Sequence, residues 1–183
     1  MKKLLCAILA LTMLLSLAAC AANNNGGGAS TETTVPANLE GTVEELLNRI
    51  VEKQPVDFDG ETTVIDLTDT SDEGTWRFES TTGLSDPAKL KEAAAFEPLM
   101  GSMAFSMVMV RVADAVDPQE IAQAMKEGIN PRKWVCVEAD DMKVAGCGDV
   151  VMLIMLSSEM DLVAQDFVDA FQSVAGRELD FVI

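Results

Sequence analysis

The chain has 183 residues, of which 30 are acidic and 13 basic, and it contains neither histidine nor tyrosine. A formal net charge of −17 repels nucleic acid and anionic lipid headgroups, so no nucleic-acid partner is expected. The lack of histidine removes the usual general base, the histidine-dependent triads and the commonest zinc ligand.

Lys2 and Lys3 form a short positive leader, followed by an apolar stretch from Leu4 to Leu17 broken only by Thr12 and Ser16. At about fourteen residues this matches the apolar region of a signal peptide and falls short of the ~20 a spanning helix needs. The run Leu17-Ala18-Ala19-Cys20 resembles the bacterial lipobox. That motif implies cleavage between Ala19 and Cys20 and a diacylglyceryl lipid on the Cys20 thiol. Two acyl chains on one residue hold a membrane where one would not. Residues 1–19 therefore read as a signal peptide, and removing Lys2 and Lys3 leaves 11 basic against 30 acidic residues, a net of −19. Residues 20–38 are small, polar and glycine-rich, the composition of a flexible tether. Residues 39–183 are expected to form one α+β domain on the outer face of the cytoplasmic membrane.

Within that domain, Thr42 and Glu45 make a capping box ahead of an apolar stripe of Val43, Leu46, Leu47, Ile50 and Val51, and Gln54-Pro55 closes the helix. Thr62 to Ile65 reads as a short strand and Asp66 to Gly74 as a loop. Trp76-Arg77-Phe78 has β character. Pro87 to Pro98 reads as a helix with Leu90, Ala93, Ala94 and Phe96 inward. Met103 to Ala113 is a strand. Asp117-Pro118 starts a helix with Ile121, Ala124 and Met125 buried and Gly128 as its cap. Met142 to Ala145 and Asp149 to Leu156 read as a hairpin turning at Gly146-Cys147-Gly148, and Ser158 with Asp161 opens a last amphipathic helix that Gly176 ends. The order strand-helix-strand-strand-helix predicts a small, mainly antiparallel sheet of the ferredoxin-like split β-α-β type. Its core lies in residues 103–175, with N-terminal helices available for the second face.

The segments MAFSMVMVRVADA, PQEIAQAMKEGINPRKW and VAGCGDVVMLIMLS, with the lipobox and the terminal amphipathic helix, resemble the clostridial lipoproteins catalogued as domain of unknown function 4358. The resemblance covers roughly residues 75 to 175. It implies an envelope address and this fold, and it names no reaction and no catalytic residue.

Several groups invite a chemical reading. Asp57, Asp59, Asp66 and Asp69, with Asp72 and Glu73, are hard oxygen ligands in a loop but miss the calcium-loop spacing, so no metal is expected and a solvated surface competes. Glu138, Asp140 and Asp141 could perform acid–base work if burial raised a pKa, against the plainer reading of a charged turn. Cys136 and Cys147 lie in a compartment that permits a disulfide. The drawn hairpin leaves Cys147 in its turn and Cys136 inside, which argues against one. Arg132, Lys133 and Trp134 form a cationic, aromatic tip suited to a partner, against the alternative of snorkelling side chains beside a packed indole. Met103, Met107 and Met109 read as core. The expectation is thus a non-catalytic, lipid-anchored binding module with an unknown protein or small-molecule partner and no cofactor. The alternative is a carboxylate- or metal-dependent envelope hydrolase.

Overall fold

The computed structural model describes residues 38–183. Among them are four α-helices and one six-stranded sheet: α1 (Val43–Lys53), β1 (Gly60–Val64), α2 (Asp72–Thr82), β2 (Leu90–Pro98), β3 (Phe105–Val112), α3 (Pro118–Gly128), β4 (Asp141–Cys147), β5 (Val150–Leu156), α4 (Ala164–Ala175) and β6 (Phe181–Val182). The strand order is β1-β2-β3-β5-β4-β6, and every neighbouring pair is antiparallel. The α+β class with a small antiparallel sheet is therefore the observed one.

The central strands explain the layering. All eight residues of β3 and all seven of β5 are buried, so both faces of the sheet need cover. Phe105, Met107 and Met109 of β3 point into one core with Leu46, Leu47 and Ile50 of α1 and Phe167 and Phe171 of α4. Val108, Val110 and Val112 point into a second core with Phe78 of α2 and Ile121 and Met125 of α3. Each face thus receives one early and one late helix. The core is wider than residues 103–175, since Leu46, Leu47 and Ile50 are essentially inaccessible. Burying each of them contributes about 1.5–3 kcal/mol.

The connections show why the helices divide. β3 and β4 flank β5 and run parallel, joined through α3; β5 and β6 flank β4 and run parallel, joined through α4. Both crossovers move across the sheet in the same direction, yet β3 and β5 point opposite ways. Right-handed crossovers must then throw α3 and α4 onto opposite faces. The expected split β-α-β unit is present as β3-α3-β4. A ferredoxin-like arrangement would return the last strand beside β3, but β2 already occupies that edge, so β6 joins β4 instead.

Two elements differ in type from the sequence reading. Residues 72–82 are helical where Trp76-Arg77-Phe78 suggested a strand. Ser71 caps α2 by accepting from the Gly74 amide, Asp72 and Glu73 sit in its first turn, and Gly83 closes it with φ 74°. The threonines and aromatics that mimic a strand are outvoted by these caps. Residues 90–98 form a strand where the alanine run suggested a helix, with only a 3₁₀ turn over Pro87–Lys89. Ala94 faces one core and Ala93 and Ala95 the other, so pairing with β1 and β3 overrides helix propensity.

Smaller corrections follow. In α3 it is Ala122, not Ala124, that is buried beside Ile121 and Met125, and Gly128 is its last helical residue, with Ile129 as the cap. The hairpin turns at Gly148-Asp149, pairing Cys147 with Val150, so Cys147 ends β4 and does not lie in the turn. Ser158 belongs to a 3₁₀ turn over Ser158–Met160, and α4 begins only at Ala164.

Gly128 earns its place by contact. A Cβ built there would lie 2.0 Å from the Gly83 carbonyl oxygen, where the ends of α2 and α3 meet. Gly128→Ala should therefore lower stability by about 1–3 kcal/mol, although alanine is the better helix former by about 1 kcal/mol. Urea melts of the two proteins give the sign, and a more stable variant would refute the close approach.

Candidate functional site

Ala19 and Cys20, the expected cleavage and lipidation positions, lie outside the described residues. Among the described residues no helix is long and apolar enough to cross a membrane. What the structure does place is the segment just before α1. Arg111, 8% exposed at the end of β3, donates from Nη1 to the Leu39 carbonyl at 3.1 Å and from Nη2 to the Gly41 carbonyl at 2.5 Å. Its charge is met by Asp149 at 2.8 Å and Glu92 at 3.4 Å. Those carboxylates in turn accept from the Leu39 and Val43 amides. One buried guanidinium thus fixes where the chain enters the domain, a residue that reading the sequence left only as the end of a strand.

At the other end of β3, and on the other face, both tryptophans of the chain come together. Ser106 and Arg111 are separated by roughly 17 Å along the strand, at about 3.3 Å per residue. A cleft of about 360 Å³ opens there between α2, the β2 strand and the loop after α3. Trp76 and Trp134 line it with Met100, Arg77, Glu97 and Lys133. Trp76 is 68% exposed and Met100 60%, and Leu99 and Val135 nearby are also largely exposed. The backbone amide of Val135 donates to the Gly101 carbonyl, which ties the loop to the rim.

The predicted tip Arg132-Lys133-Trp134 is split by the fold. Arg132 points outward and pairs with Glu138. Lys133 turns inward: its Nζ lies 2.6 Å from Glu97 Oε1 and 3.1 Å from Ser106 Oγ, and 5.4 Å from the centroid of the Trp134 ring. Ser106, wholly buried, donates to the same Glu97 oxygen at 2.7 Å. This internal triangle holds the Glu97 carboxylate and the Lys133 ammonium at the cleft floor. Trp76, Arg77 and Glu97 were not foreseen as parts of one site. They sit on two elements whose type the sequence disguised.

A second cleft, of about 390 Å³, lies at the Arg111 end of β3 and is lined by Asn38, Asp114, Asp117, Asp149, Asp180 and Phe181. Its carboxylates already have partners within the chain: Asp114 pairs with Lys91, Asp117 caps α3, Asp149 holds Arg111 and Asp180 pairs with Arg177.

Several of the other candidate acids are occupied in the same way. Asp66 accepts from the Thr68 amide and hydroxyl, and Asp69 accepts from the Ser71 amide. Asp57 and Asp59 sit in the α1–β1 loop, and among the described residues no three acids or thiols converge as a metal site. Asp140 accepts from the Ser158 amide and hydroxyl, and Asp141 accepts from the Ala164 amide, capping α4 from a neighbouring strand. Among the described residues, the carboxyls displaced from their ordinary range are Asp66, Asp69, Asp140 and Asp180, and all four move down. Serine or threonine bonds cause the first three shifts. At Asp180 burial pushes upward, but the Arg177 bond and the Gly148 amide outweigh it. A general acid needs the opposite displacement.

Met107 and Met109 are core residues, and Met103 is half-buried. Both cysteines of the domain are free. Their placement reverses the sequence reading: Cys136 is exposed on the loop with φ 64°, and Cys147 is buried at the end of β4, where burial pushes its thiol pKa up. In the native protein a thiol reagent should modify Cys136 promptly and Cys147 only on unfolding. Equal rates for the two in mass-spectrometric mapping would refute the buried position.

No family model matches the chain, and no curated protein and no solved structure matches it either.

Proposed function

We propose that this protein is a lipid-anchored, extracytoplasmic binding module that presents the tryptophan cleft to a ligand. It is held at the outer face of the cytoplasmic membrane by a diacylglyceryl group on Cys20. The observation that carries the reading is that both tryptophans of the chain line one cleft at the end of the sheet opposite Arg111 and Leu39. The lipobox supports the anchor, and the resemblance to the clostridial lipoproteins rests on the segments quoted above. A binding role suits exposed aromatics beside a few fixed polar groups, the usual composition of a small-ligand site. The alternative, a carboxylate- or metal-dependent envelope hydrolase, calls for acids converging in a concave site, and the acids of the tryptophan cleft and its rim are engaged in ion pairs with Arg77 and Lys133.

Two measurements test the two halves. Cys20→Ser should abolish incorporation of labelled fatty acid and accumulate uncut precursor; normal processing of that variant would sink the anchor. Adding solubilised envelope material to the purified chain should shift tryptophan emission, because the chain has no tryptophan outside the cleft. Emission that never moves would sink the cleft as a binding site.

A further inference from the structure

The charges around the tryptophan cleft restrict what it can hold. We infer that it is a subsite for a neutral sugar, one or two pyranose units of a glycan laid against Trp76 and Trp134; this rests on the cleft being the binding site. The cleft's ~360 Å³ lies at the low end of small-ligand sites and suits a small unit better than a folded partner.

An anionic ligand meets three obstacles. The mature chain carries −19 by composition, with 11 basic and 30 acidic residues. Arg77 is paired with Glu73 at 3.3 Å, and Lys133 with Glu97 at 2.6 Å, so neither cation is left uncompensated. Glu97 itself faces the cleft. A cationic ligand fares no better at the aromatic wall, because Lys133 Nζ already lies 5.4 Å from the Trp134 centroid and would repel it. A purely apolar ligand would displace water from Glu97 Oε2 and the Thr63 hydroxyl, which share the cleft with the indoles, and return no hydrogen bond.

A pyranose satisfies both kinds of wall. Its C–H face carries slightly positive hydrogens that suit the negative face of an indole. Its hydroxyls suit the polar groups. Both bonds that Glu97 receives, from Ser106 and Lys133, end on Oε1, so Oε2 can accept from a sugar hydroxyl. The Arg77 guanidinium and the Ser80 and Thr63 hydroxyls complete the polar side. The buried Ser106 and the Lys133 pair fix the carboxylate in advance, so little ordering remains for binding to accomplish.

The full chain in detergent micelles should be titrated with maltotetraose, cellotetraose and N-acetylchitotetraose while tryptophan emission is recorded. At least one should give a saturable shift that high salt leaves unchanged. Trp76→Ala, a surface change that leaves Trp134 as reporter, should abolish saturation without altering the melting temperature. Glu97→Gln should weaken binding about tenfold. No shift with any of the three overturns the sugar assignment. If oligolysine or oligogalacturonate shifts the emission instead, the cleft still binds and only the ligand class is wrong. If envelope material is also silent, the binding reading falls with it.

Discussion

Val151→Asp should leave the protein without a cooperative melt at neutral pH. Val151 is wholly buried in β5, opposite Val110 of β3 and Gly146 of β4, within the core shared with α3. No cation lies among the residues of that core. An ionised carboxylate there costs several kcal/mol against a total stability of about 5–15 kcal/mol. The variant will instead hold its carboxyl protonated, with a folded pKa raised above the unfolded value. The sign follows: its deficit is smallest below the unfolded pKa and grows as pH rises above it. Val151→Thr, almost the same shape, should lose only about 1–3 kcal/mol for the buried hydroxyl. Urea melts of both variants at acid and neutral pH measure these differences. A Val151→Asp protein that melts like wild type at neutral pH would mean that this strand is not central.

Arg111→Leu should cost about 3–5 kcal/mol, because it leaves partly buried carboxylates without their cation. Asp149 is the more buried of the two, with its side chain 13% exposed against 36% for Glu92. The Leu39 and Gly41 carbonyls lose their donors at the same time. Arg111→Lys should fall between, since an ammonium restores charge but cannot span two carbonyls and a carboxylate as a planar fork does. The damage should also be local first. Hydrogen exchange at the Leu39 and Val43 amides should accelerate before exchange in β5, because those amides donate to Asp149 and Glu92. Unchanged protection at Leu39 in the leucine variant would show that Arg111 does not hold the chain entry.

Legibility in the sequence followed the strength of local signals. α1 and α3 were plain because a capping box at Thr42 and the Asp117-Pro118 start coincide with helical apolar spacing. β3 and β5 were plain because strands buried on both faces read as unbroken apolar runs. α2 hid because only Gly74, Phe78, Thr81 and Thr82 of it are buried, so it has no apolar stripe; the spacing of Ser71 and Gly83 was the usable signal. β2 hid because alanines pack where helices approach a sheet from both sides, and their helix propensity points the wrong way. β6 is two residues long, too short for any periodicity.

The site shared that fate. Lys133 and Trp134 stood out as a cation beside an aromatic in an acidic chain. Their partners Trp76, Arg77 and Glu97 lie on α2 and β2, the two elements misread, so nothing local could unite them. The Arg111 cluster joins positions 39, 92, 111 and 149, which only the folded sheet brings together.

That cluster also sets how the domain bears a mechanical load. Residues 39–43 are gripped by groups on β2, on β3 and in the turn that leads into β5, three adjacent strands of the sheet. A pull applied to the chain ahead of Leu39 would be delivered to the middle of the sheet and shared across several strands at once. An attachment at β1 or β6 would let the same pull peel an edge strand away one hydrogen bond at a time.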